Sequence, residues 1–162
     1  MPDYLAPGLA VIFVGFNPGI RSGETGHHFA NPTNRFWKIL YGAGLTPQVF
    51  TPEEASQLLE LGYGLTNIVP RSTRAASDIQ PEEFEEGRQQ LLCKLDLYRP
   101  RVACFVGKGV YQVYSGKQKA PWGFQSEDVV PGVKDFVAPN SSGLVRLKLD
   151  ELVAIYRLLA VN

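Results

Sequence analysis

The sequence predicts an α/β fold in which a mostly parallel sheet lies between two layers of helices. Residues 11–14 and 102–106 are continuously apolar, as expected for strands buried on both faces of a parallel sheet. Segments with helical apolar spacing follow such runs along the chain. Strands that alternate with helices are typical of a three-layer α/β/α sandwich.

The remaining elements are bounded by residues that favour or end regular structure. A third strand is predicted at residues 63–69, and Pro70 ends it. Capping residues, prolines and acidic first turns mark helix starts at Thr51 and Gln80. Apolar spacing and these signals predict helices at residues 34–43, 51–61, 80–98, 110–114 and 149–159.

Two segments have less regular patterns. Residues 17–32 are rich in glycine, proline and polar side chains, which predicts a loop. Residues 129–130 and 135–138 flank a Pro-Gly turn, which predicts a strand or hairpin. The chain contains no linker and no internal repeat, so residues 1–162 are predicted to form one domain.

The composition is that of a soluble globular protein, with 44% apolar and 20% charged residues. Sixteen basic residues balance sixteen acidic ones, which argues against nucleic-acid binding through a global positive field but leaves a local patch open. No apolar run approaches the roughly 20 residues that span a bilayer. The first residues lack the pattern of a signal peptide, so we expect an intracellular, cytoplasmic protein.

Cysteine and histidine are too few for the common metal sites. Cys93 and Cys104 cannot supply a disulfide framework or a four-cysteine cluster. His27 and His28 are adjacent and lack the spacing of metal ligands. We therefore expect neither a metal nor a cofactor.

The loops at the carboxyl ends of the strands hold the candidate site, because ligands bind there in such folds. Asn17 follows the first strand, and its side-chain oxygen can orient a water molecule although it cannot act as a general base. Pro18 fixes the neighbouring backbone, and Gly19 allows a ligand to approach closely. The same Asn-Pro-Gly sequence also favours an ordinary turn, so this motif alone leaves both interpretations open.

Later loops carry groups suited to contacts with phosphate, in the segments Arg71-Ser72-Thr73-Arg74 and Ser141-Ser142-Gly143. Leu144 is apolar in a polar loop, where it can wedge into a base stack or cover the core. Phe29 can stack on an extruded base or anchor its own loop. Asp78 can support a water molecule or cap a helix.

The segment Gly107-Lys108-Gly109 follows a strand and precedes a helix, which faintly matches a dinucleotide-binding fingerprint. Gln112 stands where the third glycine of that fingerprint belongs. The match is therefore weak, but it defines an alternative class of function, a nucleotide-dependent enzyme.

Read together, these loops resemble the mismatch-specific uracil/thymine-DNA glycosylases, a branch of the uracil-DNA glycosylase superfamily. The resemblance runs in order from about residue 5 to residue 158. The first motif differs from that family's Gly-Ile-Asn-Pro-Gly only at Phe16. The motifs that match are Gly15-Phe16-Asn17-Pro18-Gly19, Gly26-His27-His28-Phe29, Asn34-Arg35-Phe36-Trp37-Lys38, Thr66-Asn67, Arg71-Ser72-Thr73, Tyr98-Arg99-Pro100-Arg101-Val102, Gly107-Lys108 and Pro139-Asn140-Ser141-Ser142-Gly143-Leu144-Val145-Arg146.

The resemblance implies roles in base recognition and catalysis. Asn17 would position the attacking water, with Asp78 as an auxiliary group. The residues implied to bind the base are Phe16 through its backbone, Phe29 by stacking, Asn67 through the base edge, and Asn140. Efficient uracil-DNA glycosylases carry Asp and His where Asn17 and Asn140 stand here, which implies slow turnover.

The resemblance also implies a surface that binds DNA. The loop from Ser142 to Arg146 would enter the gap left by the flipped nucleotide, with Leu144 as the wedge. The residues implied to contact DNA are Ser142, Gly143, Leu144, Arg146, Arg71, Ser72 and Lys108.

The expected function is therefore that of a monofunctional DNA glycosylase. Such an enzyme would excise uracil, and thymine or other damaged pyrimidines, from mismatches with guanine in double-stranded DNA by base flipping and water attack. We expect a monomer. Two alternatives stay open at this point: the nucleotide-dependent enzyme and a non-catalytic module that binds damaged DNA.

Overall fold

The computed structural model describes residues 1–161 and confirms the predicted fold class. The strands are β1 (Val11–Gly15), β2 (Tyr63–Asn67), β3 (Val102–Val106), β4 (Gly123–Phe124) and β5 (Lys134–Ala138). They form one sheet in the order β2-β1-β3-β5-β4. The first four strands in this order run parallel, and β4 runs antiparallel to β5.

Helices cover both faces of the sheet. The α-helices are α1 (Ile20–Thr25), α2 (Phe36–Gly42), α3 (Pro81–Tyr98), α4 (Lys108–Ser115) and α5 (Leu149–Tyr156), and 3₁₀ helices span Pro52–Leu61, Ala76–Asp78 and Arg157–Val161. One face packs against α2, α5 and the first 3₁₀ helix, and the other packs against α3 and α4. None of the helices within residues 1–161 is long and apolar enough to cross a bilayer.

Side chains of β1 alternate between the two resulting cores. Phe13 lies on one face, edge-on to Phe36 of α2, with the ring centroids 5.4 Å apart. Ile12 and Val14 lie on the other face. All of these side chains are buried, which explains the continuous apolar run. Truncating a buried phenylalanine such as Phe13 costs about 3–5 kcal/mol, so the strand that leads into Asn17 is firmly held.

Three local predictions differ from the structure. Helix α1 interrupts the predicted loop at residues 17–32, and residues 51–61 form a 3₁₀ helix rather than an α-helix. The predicted hairpin is wrong in its first strand, because β5 pairs with β4 and not with residues 129–130. Asn162, the last residue of the predicted domain, lies outside the described residues.

The strand order creates a topological switch point. The chain leaves β1 toward β2 on one side and leaves β3 toward β5 on the other, so the two connections diverge above neighbouring strands. Ligands of doubly wound folds bind in the crevice that forms there. Gly15 ends β1 at this crevice, and Gly107 follows β3 beside it.

Candidate active site

A cleft of about 510 Å³ opens at the switch point. Its walls carry two arginines, Arg21 and Arg74, and among the residues that the structure describes no acidic side chain and no lysine lines it. Five side-chain amides line the cleft, those of Asn17, Asn31, Asn34, Asn67 and Asn140. The cleft can therefore orient a polar ligand by hydrogen bonds, but it contains no carboxylate that could act as a general base.

Asn17 is held in one orientation at this cleft. Its Nδ2 donates to the carbonyl oxygen of Arg71 at 3.1 Å and to Oγ1 of Thr73 at 2.8 Å. Oγ1 of Thr73 in turn donates to the carbonyl oxygen of Ala75 at 2.9 Å, so it accepts from Asn17. Both partners require a donor, which fixes the amide with its nitrogen toward them. Among the described residues, Oδ1 of Asn17 has no hydrogen-bond partner and is available to a water molecule.

Phe29 lies in the same cleft on a backbone of positive φ, 51°. Its ring stacks on Phe36 of α2, with centroids 3.9 Å apart and planes at 14°. Because Phe36 covers one face of this half-buried ring, only the other face can meet a planar ligand. The structure therefore brings the predicted stacking residue to the cleft that holds Asn17.

Asn67 reaches the cleft from the end of β2, directly beside Gly15 in the strand register. Its Oδ1 lies 2.5 Å from the point where a Cβ on Gly15 would stand. Gly15 is thus required for a close approach, since any side chain there would displace the amide. No described residue forms a hydrogen bond with the Asn67 side chain. Its Oδ1 and its Nδ2 are therefore both available to form hydrogen bonds with the edge of a base.

The ring of Phe16 packs against helices α3 and α4. It lies edge-on to Phe84 of α3 at 5.5 Å, and its carbons lie 3.5 Å from a Cβ placed on Gly109 of α4. The ring therefore anchors the loop after β1 against the helices. Phe16 is among the residues that line the cleft, and the contact of its backbone with a base stays a prediction.

The loop after β5 ends in an exposed turn. The backbone N–H of Val145 donates to the carbonyl oxygen of Ser142 at 3.2 Å, which places Gly143 and Leu144 at the tip. Leu144 is 94% exposed. At the base of the turn, Oδ1 of Asn140 accepts from the backbone N–H of Ser142 at 2.8 Å. A leucine this exposed contributes no packing to the hydrophobic core. Such exposure is expected of a side chain that enters a base stack.

Two residues predicted to contact phosphate have partners within the protein. Arg71 binds Glu83 through two hydrogen bonds, Nε to Oε1 at 2.7 Å and Nη2 to Oε2 at 3.0 Å. This contact holds the pKa of Glu83 down at about 2, so the arginine charge is balanced. Oγ of Ser72 donates to the carbonyl oxygen of Gly19 at 2.9 Å and joins the first and middle motifs. Their contacts with DNA stay predictions.

Asp78 and Lys108 lie outside the set of residues that line the cleft. A carboxylate oxygen of Asp78 accepts from the backbone N–H of Ala75 at 3.2 Å, which closes a 3₁₀ turn and gives the carboxylate a local structural role. Lys108 begins α4, and its Nζ lies 4.4 Å from the ring centroid of Trp122. Lys108 therefore sits on the rim at the carboxyl edge of the sheet, where its contact with DNA stays a prediction.

His28 is a buried structural contact at the cleft wall. Its Nε2 lies 2.6 Å from the carbonyl oxygen of Pro2, which can only accept, so Nε2 carries the proton. Burial lowers the pKa of His28 below its ordinary value, and the hydrogen bond to Pro2 only partly opposes this. Within residues 1–161, no group of histidine, cysteine and acidic side chains is arranged to hold a metal ion.

The sequence did not predict the part that three residues take in the site. Thr73 orients Asn17, Arg21 brings a positive charge to the cleft, and Arg35 donates to the loop after β5. Thr73 and Arg35 belong to motifs that were matched as blocks. Their partners lie 56 and 107 residues away, so the local sequence carried no signal of the contacts.

Comparison with known proteins bears on both fold and family. Among solved structures, the chain resembles the solution NMR structure of a Methanosarcina acetivorans protein assigned provisionally as a uracil DNA glycosylase. The TM-score is 0.64 at 21% sequence identity, over 99% of this chain and 96% of that chain, which supports the fold.

The family itself is identified by sequence. The model of the Uracil DNA glycosylase superfamily matches residues 2–160. This match favours a glycosylase over the nucleotide-dependent alternative, and the cleft offers an oriented amide and a stacking ring at the switch point. The chain therefore belongs to the Uracil DNA glycosylase superfamily, which makes it a DNA glycosylase, an enzyme that hydrolyses N-glycosyl bonds.

Proposed function

We propose that this chain is a monofunctional glycosylase that removes uracil from mismatches with guanine in double-stranded DNA. Thymine and other damaged pyrimidines opposite guanine are proposed as further substrates. The observation that carries the proposal is the fixed amide of Asn17. Among the described residues, its Oδ1 has no hydrogen-bond partner, and no carboxylate lines the cleft.

The proposed nucleophile is a water molecule bound to Oδ1 of Asn17. A carbonyl oxygen accepts a hydrogen bond from water and so directs the water's lone pair toward the anomeric carbon of the flipped nucleotide. Positioning of this kind supplies catalysis without removing a proton in advance. Because no carboxylate assists, the proposal includes slow turnover.

The leaving group explains why so little acid–base chemistry is needed. Breaking the glycosidic bond leaves negative charge on uracil, where it spreads over two carbonyl groups. In this proposal the Asn67 amide and the backbone around Phe16 stabilise that charge, and Phe29 stacks on the ring. No lysine is among the described residues that line the cleft, so no lysine side chain is placed there to form a Schiff base with the sugar, which supports a monofunctional enzyme.

Preference for mismatches is proposed to arise during extrusion. A mispaired base costs less to unstack than a paired one. Leu144 would occupy the gap in the stack, which compensates for part of that cost. Action as a monomer is part of the same proposal.

Single-turnover release of free base from a duplex with a uracil:guanine pair tests the proposal. We expect release from this duplex, slower release from uracil:adenine, and measurable release from thymine:guanine. A protein that binds the mismatch without releasing base would instead be the non-catalytic module. Thermal stabilisation by a free nucleotide, with no abasic site formed, would indicate the nucleotide-dependent enzyme.

The Asn17→Ala variant tests the carrying observation. Losing the oriented water should slow release by at least about 100-fold, while binding to the uracil:guanine duplex stays at the wild-type level. Binding and thermal melting serve as controls for folding. Release at the wild-type rate would refute the role of Asn17.

A further inference from the structure

The guanidinium of Arg35 lies beneath the exposed turn and binds only backbone carbonyls. Its Nη1 donates to Leu147 at 2.7 Å, and its Nη2 donates to Ser142 at 2.7 Å and to Val145 at 3.0 Å. Its backbone N–H donates to the carbonyl oxygen of Ser141 at 2.9 Å. Among the described residues no carboxylate pairs with this arginine.

Two of these acceptors are the ends of the turn that presents Leu144. Ser142 and Val145 are the first and fourth residues of the turn, and their carbonyls share one guanidinium nitrogen. Hydrogen bonds from a charged donor are stronger than neutral ones, and the planar fork of arginine fixes direction as well as distance. The base of the turn is thus held from below, while its tip stays in solvent.

A second contact holds the tip against the same segment. A Cβ on Gly143 would lie 2.7 Å from the carbonyl oxygen of Thr33 and 3.0 Å from its Cβ. Gly143 therefore has to be glycine for the turn to approach Thr33 so closely. The turn rests on residues 33–35 both at its base and beside Leu144.

The segment that supports the turn also supports the base pocket. Arg35 immediately precedes Phe36, whose ring stacks on Phe29 at 3.9 Å. The wedge and the stacking ring are therefore mounted on adjacent residues at the start of α2. A flipped base on Phe29 and a leucine in the vacated stack would stand in a fixed spatial relation.

We propose that Arg35 is a positioning residue that presets the Leu144 turn for entry into the DNA stack. This inference rests on the proposed function, and it adds that the wedge is rigid before DNA binds. Presetting the turn removes the entropic cost of ordering it at the moment of extrusion. Arg35 acts through Leu144 and touches neither the base nor the water.

The test compares Arg35→Lys with wild type on two substrates. Lysine keeps the charge but cannot bind three carbonyls in one plane, so release of uracil from the uracil:guanine duplex should fall by about 10-fold or more. Release from a single-stranded oligonucleotide, which needs no wedge, should change by less than about twofold. An equal loss on both substrates would overturn the proposal, as would an unchanged duplex rate.

Two further variants make the test specific. In a Leu144→Ala background, Arg35→Lys should cause little additional loss on duplex, because the residue it positions is gone. Gly143→Ala, which displaces the turn from Thr33, should reproduce the duplex-selective loss without touching Arg35. Arg88→Lys is the matched control, since Arg88 donates from Nε to the carbonyl oxygen of Tyr114 at 3.0 Å, remote from the turn.

Hydrogen exchange separates this inference from the proposed function. The amide of Val145, which closes the turn, should exchange faster in Arg35→Lys, while amides of β1 keep their wild-type protection. Unchanged exchange at Val145 would overturn the inference whatever the enzymatic result. If the wild-type protein released no base, the proposed function would be wrong. Faster exchange at Val145 in the variant would then still show that Arg35 stabilises the turn.

Discussion

Two clusters of polar side chains lie at opposite ends of the sheet, and they differ in whether their polar atoms have hydrogen-bond partners. At the carboxyl end, both N–H groups of the Asn17 amide have acceptors, and the cluster is neutral. At the amino end, Asp135 is fully buried between Tyr111 and Val129, and its Oδ1 and the hydroxyl of Tyr114 lack partners among the described residues.

The difference shows what each cluster does to the fold. The Asn17 cluster uses its hydrogen bonds to orient one side chain and leaves a single acceptor open to the cleft. The Asp135 cluster carries an ionisable group where water cannot solvate its charge, which raises the pKa of Asp135 to about 6. Hydrogen bonds from Val129 and Tyr111 and the charge of Lys117 only partly oppose this effect of burial, and Asp128 adds to it.

The largest effect expected from the difference between the two clusters is on stability, in Asp135→Asn. The folded pKa lies above the unfolded value, so the stabilising contribution of protonated Asp135 is present below about pH 4 and is lost as pH rises through about 6. Asparagine stays neutral at every pH. At pH 8 the free energy of unfolding of the variant should therefore exceed that of the wild type by on the order of 2 kcal/mol.

Urea denaturation at pH 4, 6 and 8 measures this difference, which should shrink toward pH 4. Asp96→Asn is the matched control, because Asp96 is an exposed carboxylate on α3 whose loss should not produce this pH dependence. If the difference in the free energy of unfolding were the same at all three values of pH, ionisation of Asp135 would not destabilise the folded protein, which would contradict the prediction.

A smaller effect is expected at the carboxyl-end cluster, in Thr73→Val. Valine keeps the shape but removes the acceptor for Nδ2 of Asn17, so the amide loses one of its two constraints. Release of uracil should slow by about fivefold in kcat, with DNA binding unchanged. Thr73→Ser keeps the hydroxyl and should restore most of the rate; failure of serine to do so would argue for a packing role.

The smallest effect concerns the positive charges at the mouth of the cleft. If Arg21 and Arg74 contact phosphates, then Arg21→Gln and Arg74→Gln should each reduce the slope of log affinity against log salt by about 1. The double variant Arg71→Gln/Glu83→Gln removes a balanced pair and should leave that slope unchanged. A smaller slope of log affinity against log salt in this double variant would instead indicate that Arg71 contacts a phosphate.

The sequence predicted those parts of the fold that depend on local pattern. Strands β1 and β3 are apolar throughout because both of their faces are buried, which a single window reveals. Strand β4 has only two residues and exists by pairing with β5, so no local periodicity marks it. Helix α1 contains Gly23, which disfavours a helix, and the segment was predicted as a loop.

The site was predictable to the same extent. Asn17 and Phe29 were identified from motifs and lie in one cleft. The contacts that orient them join distant segments, as Thr73 does for Asn17, and no spacing rule encodes such pairs. Arg71 shows the converse, because a guanidinium suited to phosphate is bound to Glu83 on a helix that begins ten residues later.

The outer strands of the sheet have a consequence for self-association. Strand β4 offers only two residues at one edge, and at the other edge Tyr4 exchanges backbone hydrogen bonds with Leu65 of β2. An extended segment from another molecule would thus find few free N–H and C=O groups with which to prolong the sheet. The short and occupied edges of this sheet therefore limit edge-to-edge pairing without adding charge.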